Sequence, residues 1–479
     1  MSNQTIKYQV PDYIASAKPN PRENRAPWYK NTAPSYAGIF LWFVFWQDAM
    51  KADHLGGGLA AGIGTALISL LIAGLVCHFF FYLVPGLLGM KTGLPLYVVG
   101  SSVFGAEGGL FLPGFLMGIL QFGWLGVNTY FSSTLLVGSD QTILAKLVMV
   151  VWAVLAAFVG LKGIQYVARV ATYIPLIPFV ILIAMFIKTA SGLGSFDPQA
   201  LITTHKSLVS NAPSALSTIG VLAFVLTYVV GFFATAGAAG VDFGLNNRNT
   251  KDVQWGGLIG IALAILVTAG LSALVVAGAH GISAIHDQIV AAAKANPKQA
   301  TDLLYQSTSL MKFIFGENFS RVLWVLLALA AFPPACFSSF VAANSFKTTM
   351  PKVNPFLSVG IGTLVSIILA VTTWAKDVVT VFQIIGASFG PICGAMFVDY
   401  LLAGHQWSGP RKGWNPAGWV SWALGFIVGI LPTIKLYPLP AAPVFAFIVG
   451  AVVYWICMKA GMSTEVIPWP QEQKAEQTS

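Results

Sequence analysis

The sequence predicts an all-α polytopic membrane protein of about twelve transmembrane helices, ten of them arranged as a five-plus-five inverted repeat with helices 1 and 6 broken. Three observations carry that prediction. Apolar residues make up 56% of the 479 positions and charged residues only 9%, and the mean hydropathy of +0.75 is one that a soluble chain of this length does not sustain. Apolar stretches of spanning length recur from end to end. Two of them, the first and the sixth, are interrupted in the middle by residues that lipid does not tolerate.

The spanning stretches fall at residues 36–61, 63–86, 112–135, 143–162, 166–188, 216–243, 254–280, 319–346, 355–375, 378–403, 416–434 and 439–460. Residues 1–34 read as a polar cytoplasmic tail, 35–404 as a ten-helix core with halves at 35–188 and 216–404, 405–460 as two peripheral helices, and 461–479 as a cytoplasmic tail. An amino terminus on the inside puts Lys91, Lys162, Arg169, Arg248, Lys251, Lys347, Lys352, Arg411, Lys412 and Lys459 on the cytoplasmic face of an inner or plasma membrane. Short outer loops carry far fewer basic residues, such as Lys376 and Lys435. The formal charge of +9 is scattered between spans, so it reports topology and no nucleic-acid partner is expected. The four cysteines all lie within spans, without metal or disulfide spacing.

The first span reads Gln47-Asp48-Ala49-Met50-Lys51-Ala52-Asp53-His54-Leu55-Gly56-Gly57-Gly58 in its middle. Such a run fits a helix unwound at mid-membrane to expose backbone around a site, or else a loop between two short helices. The sixth span is rich in glycine and alanine from Gly231 to Phe243. Two interrupted helices at positions related by an inverted repeat point to a transport site between them. In the third span Trp124 and Asn128 are one turn apart and share a face. An aromatic plate beside a carboxamide suits a flat, hydrogen-bonding heterocycle, although a lone Trp is also a packing or interfacial residue.

The eighth span contains Pro333 and Pro334, which remove two backbone donors and leave carbonyls of the preceding turn to be satisfied elsewhere. Ser338 and Ser339 follow Ala335 by three and four positions, placing two hydroxyls beside its carbonyl, a neutral oxygen set suited to a monovalent cation. Asn344 faces a neighbouring surface. Ser and Asn in spans also serve simply to join helices. No nucleophile motif, metal-spaced cluster or phosphate-binding glycine loop is present in the sequence, so an enzyme is not expected. A channel would not need two broken helices beside an aromatic plate.

Together these motifs resemble the nucleobase:cation symporter family, which includes purine, cytosine, allantoin and hydantoin permeases. The resemblance rests on Gly123-Trp124-Leu125-Gly126-Val127-Asn128, on Phe233-Ala234-Thr235 with Asp242-Phe243, on Ser338-Ser339-Phe340-Val341-Ala342-Ala343-Asn344, and on Gly390-Pro391 with Asp399-Tyr400. It implies the amino-acid/sodium-symporter-like fold and alternating access. By position it implies a substrate set of Trp124 and Phe233 as a sandwich, Phe232 beside them, Asn128 and Asn344 as readers of the polar edge, and Gln47 as a third reader. For the cation it implies the hydroxyls of Ser338 and Ser339 with the carbonyls of Ala335, Phe43 and Trp46. Phe233 and Asn128 stand where many members have Trp and Gln, which alters the shape and reach of the cavity.

The function expected is import of a nucleobase of the cytosine, uracil or purine type by symport, with no cofactor beyond a coupling sodium ion, by a carrier working as a monomer. A proton is the alternative ion. Allantoin, a hydantoin, a hydroxymethylpyrimidine thiamine precursor or an amino acid are the alternative substrates. An amino acid would want a bare or cationic helix end for its carboxylate. Asp48, Lys51 and Asp53 are unusual charges for a first span, and an ammonium at Lys51 reaching the cation site would replace the ion.

Overall fold

The structure is a computed structural model and describes residues 10–163, 165 and 173–468. Among these residues nine helices are long and apolar enough to cross a membrane: α2 (Ile63–Thr92), α3 (Leu110–Val137), α4 (Ile143–Lys162), α5 (Leu176–Ser195), α6 (Thr218–Ala238), α7 (Thr250–Gly281), α8 (Glu317–Thr349), α10 (Val378–Leu402) and α12 (Ala442–Lys459). Two shorter apolar helices, α9 (Pro355–Val371) and α11 (Pro416–Ile430), and a broken first helix complete the set of twelve. The first part of the predicted fifth span, residues 166–172, lies outside the described residues. The protein is an integral multi-pass membrane protein. Its lipid face is written in stripes at helical spacing, such as Leu144, Leu147, Val151, Val154 and Phe158 on α4, all exposed.

The helices group as the inverted repeat predicts. α1, α2, α6 and α7 pack together, α3, α4, α8 and α9 form a second group, and α10 lies between α6 and the final pair. Close helix approach depends on small residues, as is usual where packing rather than water exclusion drives association. A Cβ at Gly160 of α4 would stand 2.4 Å from the Cys336 carbonyl oxygen of α8, and one at Gly231 of α6 would stand 2.6 Å from the Phe382 carbonyl oxygen of α10.

Two expectations need correction. Helix 1 runs as α1a (Thr32–Leu41) and α1b (Phe43–Gln47), and its break is the single residue Trp42, with φ −59° and ψ 122°. The polar run Asp48–Gly58 is therefore not the unwound middle of a span but an irregular connection beyond α1b, at the membrane face opposite the amino terminus, here called the far face. Gly56 and Gly57 take positive φ there, 79° and 56°, which lets the chain turn back toward α2. In helix 6 the Gly231–Ala238 stretch stays helical, and the interruption comes at Ala239 before a short turn Gly240–Gly244. The helix persists because those small residues accommodate α10 and lose no hydrogen bonds.

The segment before α1a is tied to the helices over its described part. Ala26 N–H donates to the Asn246 carbonyl at 2.8 Å, the Thr32 hydroxyl to Asn247 Oδ1 at 2.7 Å, and Arg25 to the Met90 carbonyl at 2.6 Å. These bonds tie the start of α1a to the α6–α7 connection and the end of α2.

Candidate functional site

Four helices each contribute one ring to an aromatic box. Trp42 comes from the break in helix 1, Trp124 from α3, Phe232 from α6 and Phe382 from α10. Trp124 stands edge-on to Phe232 at 5.2 Å and to Trp42 at 5.9 Å, and lies 5.6 Å from Phe382 at 37°. Phe232 and Phe382 close the ring of contacts at 5.2 Å. Trp124 keeps some exposure while Phe232 and Phe382 are buried, and beside it Gly123 has open space where a side chain would stand. The Trp42 indole N–H is buried without a hydrogen-bond partner, an expensive state for a donor unless something arrives to accept from it.

Phe233 does not complete the expected sandwich. One residue along an α-helix is a rotation of about 100°, and it turns Phe233 toward helix 1, stacked 5.8 Å from Phe40 and 5.7 Å from Tyr36. Phe232 takes the place opposite Trp124.

Asn128 is committed elsewhere as well. Its Nδ2 donates to the Ala331 carbonyl of α8 at 2.9 Å, while its Oδ1 accepts from Trp152 Nε1 at 3.1 Å and from Ser132 at 3.3 Å. The carboxamide thus joins α3, α4 and α8 just before the Pro333–Pro334 pair. Asn344 is exposed. Gly118 of α3 abuts Ser345 and Phe346, so Asn344 lies level with a point six residues before Trp124, roughly 9 Å along the helix.

Gln47 is held at the far face. Its Oε1 accepts from the Thr308 hydroxyl at 2.6 Å and its carbonyl from Ser307 at 3.4 Å, while its Nε2 is buried and unpartnered. Ser307 and Thr308 begin a connecting helix (Ser307–Phe315) between α7 and α8. Next to them a small cavity of about 160 Å³ is lined by Gln47, Tyr130, Asp302, Gln306 and Lys376, among others.

Of the expected cation ligands, Ser338 bonds back to the Pro334 carbonyl at 3.2 Å. Ser339 is buried, and its hydroxyl has no partner. A Cβ at Gly160 would stand 2.9 Å from the Ser339 Cβ, and Ala335 packs with Leu125 and Ala156, so both face α3 and α4 rather than helix 1. The Trp46 carbonyl accepts from Ala49 N–H at 3.4 Å, and Phe43 is buried at the start of α1b. The sequence reading missed Tyr228 of α6, whose hydroxyl donates to the Phe45 carbonyl at 2.6 Å and lies 3.2 Å from that of Val44. A single Tyr in an apolar run gives no local signal of this role. Lys51 is paired with Asp302 at the far face.

The motif residues of α10 are structural. Asp399 accepts from Tyr454 at 2.9 Å and Ser408 at 2.8 Å, with Arg411 3.6 Å away. A Cβ at Gly390 would stand 3.0 Å from the Pro443 carbonyl oxygen, where α10 packs on α12.

No protein-family model matches the chain. It is similar to the cytosine permeases of Escherichia coli strains K12 and O157:H7, at 26% identity over 261 residues, covering 52% of this chain and 54% of theirs. The chain thus aligns over about half the length of these curated relatives. In fold it is similar to Mhp1, a nucleobase-cation-symport-1 family transporter. Its inward-facing structure matches with TM-score 0.61 over 98% of both chains at 15% identity. The closed form with bromovinylhydantoin bound matches with TM-score 0.59 over 95% of this chain and 98% of that one, at 14% identity. A sodium-coupled sialic acid symporter shares the fold at TM-score 0.54 and 13% identity, over 97% and 95% of the two chains. Each of these relatives is a permease, transporter or symporter, and the expectation of a carrier rather than an enzyme rests on them.

Proposed function

We propose that this chain, a nucleobase:cation symporter by its motifs, relatives and fold, imports a small planar heterocycle of the nucleobase type across an inner or plasma membrane, its termini cytoplasmic and its unit the monomer. The observation that carries the reading is the aromatic box between the break of helix 1 and helices α3, α6 and α10. Flat faces stack a flat ligand, at roughly 1 to 3 kcal/mol per base. The ring size of Phe232 and Phe382 favours a one-ring or compact two-ring ligand, and the unpartnered Trp42 N–H favours one that presents a carbonyl or ring nitrogen acceptor. Cytosine, named for the matched permeases, fits that description.

Sodium is the coupling ion in this reading, near Ser338, Ser339 and Ala335. The support is chemical: a buried, unpartnered hydroxyl at Ser339 and the pairing of Lys51 with Asp302. The competing reading is a proton-coupled carrier in which Ser339 only packs against α4, and the tight approach at Gly160 favours it. Uptake of radiolabelled cytosine, uracil, adenine, allantoin, hydantoin and a set of amino acids into cells with and without the protein tests the substrate class. Uptake of one planar base, saturable and competed by its close relatives, is expected. Preference for an amino acid over every base would contradict the reading.

A further inference from the structure

At the far face, His280 in the last turn of α7 and His286 in the connecting helix Ser283–Ala295 bring their Nδ1 atoms to 3.0 Å. The Nε2 of His280 lies 2.8 Å from the Leu304 carbonyl. A carbonyl only accepts, so that Nε2 carries the proton and Nδ1 of His280 presents its lone pair to His286. A carbonyl fixing one imidazole nitrogen is the usual outer-shell arrangement of a metal-binding histidine, and here the other nitrogen accepts a hydrogen bond from His286 that an ion would replace.

The pair borders a cavity of about 300 Å³ that Asp197, Asp287, Ser195 and Ser283 also line. Asp197 comes from a third element, the cap of the connecting helix Pro198–Leu208, where its Oδ1 accepts from Gln199 N–H. Two imidazole nitrogens on one tetrahedral zinc stand roughly 3.3 Å apart when each bond is about 2.0 to 2.1 Å. The observed gap needs only a small opening to reach that value.

We propose that His280 and His286 form a binding site for a divalent transition-metal ion of the zinc class. The two Nδ1 atoms are the protein ligands, and water completes the shell from the cavity. Among the described residues no group of three or more His, Cys, Asp or Glu gathers there, so the carboxylates of Asp197 and Asp287 act through charge and bound water. On binding, the Nδ1 proton of His286 leaves, and its Nε2 is protonated from solvent, so the ring stays neutral. The ion fastens the connecting helix to α7. It also fastens Leu304, which neighbours the segment closing over Gln47 and Asp48, and zinc therefore slows transport.

The test is calorimetric titration of the purified full-length protein with zinc chloride and, separately, magnesium chloride. Wild type, His286→Ala and His280→Gln are compared, the last keeping an N–H donor for Leu304. Wild type is expected to bind one zinc ion and no magnesium, and both variants to lose at least tenfold in zinc affinity at unchanged thermal midpoint. Wild-type zinc affinity in either variant overturns the site, as does equal binding of magnesium. This arm is independent of the transport reading. In uptake assays zinc should inhibit wild type and spare His286→Ala. Zinc bound at the pair without effect on uptake would overturn the fastening role.

Discussion

Lys51 Nζ lies 2.8 Å from one carboxylate oxygen of Asp302, and Lys376 lies 3.2 Å from the other. Three connections meet at this carboxylate: the run after α1b, the segment between α7 and α8, and the α9–α10 turn. Beneath it the buried Asp48 accepts from Gln306 at 3.0 Å and stands 3.7 Å from Lys51. The cluster closes the far face above Gln47.

Breaking the cluster should loosen that closure without unfolding the protein. Lys51→Ala or Asp302→Asn is expected to shift the balance toward a far-side-open form by ~1 to 2 kcal/mol, about five- to thirtyfold. Accessibility of a cysteine introduced at Thr134, which lines the cavity next to it, reads the shift. Unchanged labelling in both variants would show that the cluster is ornamental.

The pH dependence of the closure follows from its signs. Burial raises the Asp302 carboxyl, but Lys51 and Lys376 outweigh it, and the net shift is downward. A depressed carboxylate contributes stability that is present above its unfolded value, about 3.9, and is lost only as pH falls through the lower folded value. Asp302 should therefore impose no pH dependence on labelling of the same cysteine from pH 5 to 8. Opening within that window would assign the control to another group.

Phe232 and Phe233 are expected to separate cleanly. Phe232→Ala and Trp124→Ala should each weaken substrate binding about 5- to 150-fold, the loss of one stacking face. Removing either buried Phe costs about 3 to 5 kcal/mol of stability, so both Phe variants should melt lower, but Phe233→Ala should do so with substrate binding intact. Ligand-binding titrations beside thermal melts distinguish the two, and a binding defect confined to Phe233→Ala would restore the original pairing.

Asn128→Ala should behave as a packing variant. Its loss leaves the Trp152 N–H without its Oδ1 acceptor and the Ala331 carbonyl without the Nδ2 donor, at about 1 to 3 kcal/mol for an unmet group. A fall in thermal midpoint with the order of preferred bases intact is the expected result. A changed preference would return Asn128 to the binding set.

These contrasts mark what the sequence made legible. Twelve spans were readable because lipid demands long apolar runs. The break in helix 1 was misplaced because a charged, glycine-rich run resembles an unwound helix when depth is unknown; the structure sets that run at the far face, where Lys51 finds Asp302. Phe232 and Phe233 differ by one helical step, and only the rotation of α6 against α1 and α10 decides which faces Trp124. Tyr228 holds carbonyls 183 and 184 residues away in the chain, a relation that no local pattern announces.

A coupled carrier accumulates its planar base unaltered and against its gradient. The most direct measurement is uptake of radiolabelled cytosine by purified protein in lipid vesicles under an inward sodium gradient, an inward proton gradient, or neither, for wild type and Ser339→Ala, with the label recovered and identified afterwards. Intact cytosine is expected to accumulate above equilibrium only with sodium, with at least tenfold less dependence on sodium in Ser339→Ala. Accumulation driven by protons alone, or recovery of a chemically altered base, would contradict this expectation.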